Sequence, residues 1–222
     1  MNYKRVTLVC GHYGSGKTNV AVNMAFELKT QRAKTAIADL DIVNPYFRTL
    51  DSKADFEQRG IRLICSPFAN SSIDAPAIPQ EIYSITDEPD QSVIVDVGGD
   101  DRGALALGRI AGAIAAEGSF DMLMVINCHR PLTKTVEELL QVKEEIELAG
   151  RLPFTGIINN SNLGRQTDAK TVLDSLCYAQ EASEKTGLPI VMTAYDKRLD
   201  RELRDRVPEP FAMTLQKTIL DI

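Results

Sequence analysis

The sequence predicts an α/β fold, a doubly wound and mostly parallel sheet with helices on both faces. Short, unbroken runs of apolar and β-branched residues recur along the chain, helical patterns separate them, and a glycine-rich turn joins the first run to the first helical pattern. Unbroken runs, rather than alternating ones, suit strands buried on both faces. Strands that alternate with helices run parallel through right-handed crossovers.

The predicted strands cover residues 6–10, 35–40, 61–65, 93–97, 122–127, 155–158 and 189–193, most of them bounded by Gly, Pro, Asn or Asp. The first helix carries Val20, Ala21, Met24, Ala25 and Leu28 at helical spacing. A second follows the capping box Thr135-x-x-Glu138, sets Val136, Leu139, Leu140, Ile146 and Ala149 on its apolar side, and ends at Gly150. A third runs over 168–186 with Val172, Leu173, Leu176, Cys177 and Ala182 on one face, then stops at Gly187 with Pro189 beyond. Two stretches break the rhythm. Residues 66–80 hold three prolines and read as either a surface loop or a flap over the site. Residues 102–117 are helical by their alanines, although Gly103, Gly108 and Gly112 each disfavour helix by about 1 kcal/mol relative to Ala. This helix either lies close on the sheet or has a start that moves.

With 222 residues and no linker, charge block or repeat, the chain is expected to form one domain over 1–222. A hydrophobic share of 44% and a charged share of 25% exclude disordered and fibrous classes. Thirty-one acids against 25 bases leave a net charge of −6, which argues against nucleic acid as the main partner. The apolar stretch before Gly11 is too short for a signal-peptide core, and no uncharged apolar run is long enough to span a bilayer. A cytoplasmic protein without a stable membrane anchor is expected. Cys10, Cys65, Cys128 and Cys177 are widely spaced and form no C-x-x-C pair, so neither a disulfide framework nor a metal knuckle is indicated.

The chemistry is concentrated at the glycine-rich turn. Gly11-His12-Tyr13-Gly14-Ser15-Gly16-Lys17-Thr18 satisfies G-x-x-x-x-G-K-[ST] directly after the first strand, and it opens the first helix. Such a loop wraps a phosphate, because its glycines allow successive N–H groups to turn inward at the positive end of a helix. Gly11, Gly14, Ser15, Gly16, Lys17, Thr18 and Asn19 are the expected nucleotide-binding residues here. Lys17 neutralises the terminal phosphates, and Thr18 offers its hydroxyl to Mg²⁺. Asp96, at the end of the strand 93–97, is placed to hold Mg²⁺ through water, and Gly99 can bring a backbone N–H to the γ-phosphate. Asp39 and Asp41 follow the second strand and share one face, so one supports the metal while the other reaches toward the nucleophile.

Phosphate loop, D-x-D after the second strand and D-x-x-G after a later one, in that order, resemble the MinD/ParA family of deviant-Walker ATPases. That group includes the nitrogenase iron protein, the arsenite-pump ATPase and CobQ/CobB-type nucleotide-binding domains. The resemblance extends over essentially the whole chain. Gly156-Ile157-Ile158-Asn159-Asn160-Ser161 matches the segment where the family sets an Asn against adenine, which implies Asn160. Residues 189–196 resemble its last adenine-side loop. The resemblance further implies Asp41 as the carboxylate that orients the attacking water, Asp39 and Asp96 as metal-side acids, and switch segments near 41–48 and 96–102. His12 stands where the family has its signature lysine, and Tyr13 where a glycine is usual. A histidine is mostly neutral at pH 7, so Arg48 or Arg102 is expected to supply the cation. No cysteine pattern for an iron–sulfur cluster and no basic C-terminal membrane helix accompanies the match.

The leading expectation is a Mg²⁺-dependent ATP-binding protein, a slow ATPase switch that acts on an unidentified protein partner and forms a weak homodimer on ATP. An ATP-dependent small-molecule ligase or kinase of the dethiobiotin-synthetase sort is the alternative, and a nucleotide-binding adaptor without turnover is a third. No N-K-x-D guanine motif occurs, and the amide of Asn160 can pair with the adenine edge.

Overall fold

The most apolar run of the sequence becomes the middle of the sheet. In the computed structural model, which describes residues 2–41, 49–65, 80–99 and 106–216, strand β1 (Val6–Cys10) is buried along its whole length. It lies between β4 (Ser92–Val97) and β5 (Phe120–Ile126), both parallel to it. With β2 (Thr35–Leu40), β3 (Arg62–Ile64), β6 (Gly156–Asn159), β7 (Ile190–Asp196) and β8 (Pro210–Met213), the order is β3-β2-β4-β1-β5-β6-β7-β8, and every pairing is parallel. The first two crossovers run outward on one side of β1, the third returns to β4 beside it, and from β5 onward the strands run outward on the other side. The order therefore reverses beside β1, and a crevice opens at the carboxyl ends of the strands there.

Both faces are covered, as the unbroken runs require. Leu8 and Cys10 join a core with Leu107, Ile114, Leu139 and Ile146, whereas Val9 joins one with Met24, Leu28 and Phe56 from the opposite layer. Helix α1 (Lys17–Gln31) buries Val20, Ala21, Met24, Ala25 and Leu28 in that second core. The capping box of Thr135 and Glu138 is formed, and the Val136–Gly150 helix closes on Arg151 in left-handed geometry rather than on the glycine.

Four details depart from the sequence reading. The helix predicted over 168–186 is two, Ala169–Asp174 and Leu176–Thr186, because the Ser175 hydroxyl donates to the Val172 carbonyl at 2.7 Å while its N–H bonds the same carbonyl and tightens the turn. The described part of 102–117 breaks before Ala111, and the second piece is the Ala111–Glu117 helix. Gly108 explains part of the glycine content, since a Cβ there would stand 3.0 Å from the Ala149 carbonyl oxygen. Strand β8 and the Lys53–Arg59 helix were not foreseen, and the predicted strand over 189–193 continues to Asp196. The loop or flap over 66–80 lies, up to residue 79, outside the described residues, as do the start of the 102–117 segment and residues 42–48. No helix among the described residues is long and apolar enough to cross a membrane.

Strand β8 is tied to the rest from both sides. It pairs with β7, and the segment after it is held by α1. Asn23 accepts from the Thr214 N–H at 2.9 Å and donates to the Thr214 carbonyl at 3.0 Å, and Asn19 Oδ1 accepts from the Gln216 N–H at 2.9 Å. The Asn23 amide thus does for this segment what a further strand would do. Replacing Asn23 with Ala removes both of its hydrogen bonds to this partly buried segment, so stability should fall by about 2 kcal/mol. In a chain of this size that lowers the thermal midpoint by about 4–8 °C, which a melting curve reads directly.

Candidate functional site

The glycine-rich turn occupies the crevice beside β1 and is braced from two directions. Gly16 has φ 87°, and a Cβ on it would lie 2.4 Å from Asn160 Nδ2. That amide donates to the Ser15 carbonyl at 2.7 Å, and the Asn160 N–H is itself fixed to the Ile126 carbonyl at 3.0 Å. On the other side, a Cβ on Gly99 would stand 2.7 Å from both Lys17 Nζ and the Tyr13 nitrogen. The chain leaving β4 can rest on the loop only because residue 99 has no side chain. Within the loop, the Ser15 N–H donates to the His12 carbonyl at 3.2 Å. Lys17 is only 4% exposed, and its ammonium donates to the same carbonyl at 3.4 Å.

Asp96 is wholly buried at the end of β4. Its Oδ2 accepts from the Thr49 hydroxyl at 3.0 Å, while Oδ1 is buried with no hydrogen-bond partner among the described residues. The Ser15 hydroxyl is likewise buried and unpartnered among them. Burial pushes the Asp96 carboxyl from its ordinary 3.8 up to about 6. Lys17 and the hydroxyls of Thr18 and Thr49 oppose that rise, and the charge of Asp41 adds to it.

The two acids at the end of β2, Asp39 within it and Asp41 just beyond, separate into different environments. Asp39 pairs in register with Asp96, yet its Oδ1 accepts from the Asp41 N–H at 3.0 Å and so shapes the turn on which Asp41 sits. Asp41 is the one whose charge bears on Asp96, and the charge of Asp39 helps to push up the Cys65 thiol instead.

A cavity of about 620 Å³ opens beside the loop, lined by Gly14, Thr18, Arg130, Asn162, Tyr195 and Gln216 among others. This is the size of a small-molecule site. Gly14, Gly16, Lys17, Thr18, Asn19 and Asn160 all border it. Gly11, Ser15, Asp96 and Gly99 are not among its lining residues. Asn160 and Asn19 reach the cavity wall with polar atoms already engaged, by the Ser15 carbonyl and the Gln216 N–H. Arg130 and Arg165 were missed by sequence reasoning, because they come from two separate loops and carry no motif, whereas Tyr195, in β7, falls within residues 189–196, the segment that resembles an adenine-side loop. Arg48 and Arg102 lie outside the described residues. His12 turns its ring nitrogen Nδ1 to within 3.1 Å of the Tyr13 carbonyl oxygen.

No protein-family model matches the sequence, and no curated protein matches it. Solved structures do. FtsY from Mycoplasma mycoides matches with a TM-score of 0.54 and 18% identity over 86% of this chain and 59% of its own. Cell division protein FtsY from Thermotoga maritima gives 0.54 and 18% over 83% and 59%. The signal recognition particle 54 kDa protein from Aeropyrum pernix, solved in complex with GDP, gives 0.53 and 16% over 83% and 40%. The chain spans less than two thirds of each of these proteins. At such identities the likeness establishes the fold alone: this chain has the P-loop NTPase fold, an α/β sheet with helices on both faces.

Proposed function

We propose that this chain is a Mg²⁺-dependent ATP-binding protein of the MinD/ParA type, a slow ATPase whose hydrolysis drives a switch acting on a protein partner. The observation that carries the reading is the phosphate loop itself, closed against Gly99 and Asn160 with Lys17, Thr18 and Asp96 gathered beside it. The single sheet that all the described strands join supports treating 1–222 as one nucleotide-binding domain. An unidentified protein partner and a homodimer formed on nucleotide belong to the same reading.

The residues present fit Mg²⁺. Asp96 keeps one buried carboxylate oxygen without a partner among the described residues, and the Thr18 hydroxyl lies beside that carboxylate. Among the described residues no cluster of three or more His, Cys, Asp or Glu side chains converges, which suits an ion held largely by water and phosphate oxygens. When bound, Mg²⁺ would offset the charge of the terminal phosphates, with Thr18 and Asp96 as the residues that would hold it. The remaining work falls to the protein. Loop N–H groups and Lys17 hold the phosphates, the Gly99 N–H meets the terminal one, and Asp41 orients the attacking water.

The base is adenine in this proposal, supported by the missing N-K-x-D motif. Guanine is the second reading, favoured by the GDP bound to the Aeropyrum pernix structure. Titration calorimetry with ATP and GTP, each with and without Mg²⁺, should show ATP bound more tightly and only with the metal. Lys17→Ala should then lower phosphate release about 100-fold or more, the usual cost of losing one donor to the reacting group. Unchanged turnover in that variant removes the loop from catalysis.

Asp41→Asn keeps the side chain's shape and removes its charge. Nucleotide affinity should survive while phosphate release falls at least about tenfold, equivalent to about 1.4 kcal/mol in the barrier. Single-turnover assays separate the two, and normal hydrolysis by this variant assigns water positioning to another group.

The buried Asp96 predicts a pH dependence of the ligand-free protein. Its folded pKa, about 6, lies above the ordinary 3.8, so between these values the folded state binds the proton more tightly than the unfolded chain. The contribution of Asp96 to stability therefore declines as pH rises from about 4 to about 6 and is not regained above it. The full rise corresponds to about 3 kcal/mol. Asp96→Asn removes that penalty, so at pH 7.5 its thermal midpoint without ligand should exceed that of the parent by about 6–12 °C, with no further gain on adding Mg²⁺ and nucleotide. A lower midpoint in the variant overturns the assignment of a costly buried charge.

A further inference from the structure

The loop after β5 carries a guanidinium to the edge of the phosphate loop. Asn127, wholly buried, builds that loop. Its Oδ1 accepts from the N–H groups of His129 at 3.0 Å and Asn162 at 3.3 Å, and its carbonyl accepts from the Arg130 N–H at 3.1 Å and the Thr133 hydroxyl at 3.0 Å. The Cys128 N–H donates to the Ser161 hydroxyl at 3.2 Å, which ties the same loop to the one after β6. Leu132 is held at φ 63°, a left-handed conformation that a leucine adopts only when its surroundings impose it.

This frame sets the backbone of Arg130, and its side chain then runs to Gly14. Arg130 Cδ and Nε both lie 3.8 Å from the point a Cβ on Gly14 would occupy, and Arg130 lines the same cavity as Gly14, Gly16, Lys17 and Thr18. The guanidinium is exposed and has no hydrogen-bond or ion-pair partner among the described residues. Arg5, Arg62, Arg198 and Arg204 are engaged by carboxylates, and other exposed arginines such as Arg32, Arg109 and Arg201 have none among the described residues, but none of these borders the cavity at the phosphate loop as Arg130 does. A permanent cation without a carboxylate partner among the described residues, on a hydrogen-bonded loop beside an anion-binding turn, is arranged for an anion brought from outside.

We infer that Arg130 binds the phosphate chain of the nucleotide from the same subunit, supplying the permanent positive charge that His12 cannot. The inference rests on the nucleotide-binding function proposed above. It replaces Arg48 and Arg102 as the source of that charge and requires no second subunit for it.

The test is titration of Mg·ADP, and of a non-hydrolysable Mg·ATP analogue, into the wild type, Arg130→Gln and Arg130→Lys at low and high salt. Arg130→Gln should melt with the wild type, bind both nucleotides about tenfold or more weakly, and show a flatter salt dependence. Arg130→Lys, which keeps the charge but not the planar fork, should regain most of the affinity. Two results overturn the inference: unchanged affinity in Arg130→Gln, or a salt-independent loss that lysine does not restore, which is the signature of a guanidinium stacked on the base. A wild type that binds neither nucleotide overturns the nucleotide-binding function as well, whereas wild-type binding with an unaffected Arg130→Gln overturns this inference alone.

Discussion

The arrangement at the carboxyl end of the sheet depends on how closely three pieces of backbone approach one another. The turn after β1 touches the chain leaving β4 at Gly99 and the chain leaving β6 at Asn160, and a Cβ at Gly99 or Gly16 would fall within 3 Å of neighbouring nitrogen atoms. Real side chains cannot occupy that space. The glycine at 99 leaves room for the Lys17 ammonium, which lies where a side chain there would begin, and α1 begins directly after Gly16. The loop is shaped by its neighbours as much as by its own dihedral preferences.

Asparagines hold these pieces together. Buried loops cannot satisfy their N–H and carbonyl groups with water, and the strands end where the loops begin, so side-chain amides stand in for the missing ladder. Asn160 holds Ser15, Asn127 joins the β5 and β6 loops, Asn159 donates to the Ser175 hydroxyl, and Asn19 and Asn23 fasten the chain beyond β8. An amide suits this work because it donates and accepts without carrying a charge that burial would penalise. The one wholly buried carboxylate among them, that of Asp96, is the exception. Its raised pKa is the mark of a group kept in place at a cost to the ligand-free fold.

Electrostatics divides the two acids that the sequence set side by side. Spacing puts Asp39 and Asp41 on one face of a strand, but the turn begins between them, and the first carboxylate is drawn into a hydrogen bond with the backbone of the second. The charge of Asp41 then adds to the rise of the Asp96 pKa. Register alone would have favoured Asp39, which sits opposite Asp96 in the ladder.

The sequence by itself determined what local chemistry and burial determine. Runs such as Val6–Cys10 and Ser92–Val97 announce strands because both their faces must be apolar, and Gly16, Lys17 and Thr18 announce a phosphate loop because that backbone shape needs those residues in that order. Tertiary structure decided the rest. Strand β8, four residues long and opened by a proline, has too little pattern to be read alone and exists because β7 and Asn23 hold it. Asn160 could be recognised as a site residue, but not that its amide would be engaged by the carbonyl of Ser15, a residue 145 positions away. Arg130 carried no signal, since an exposed arginine gains meaning only from what the fold sets in front of it. Interactions between neighbours in the chain leave a pattern in the sequence, whereas contacts between distant loops are fixed by how the sheet brings their ends together.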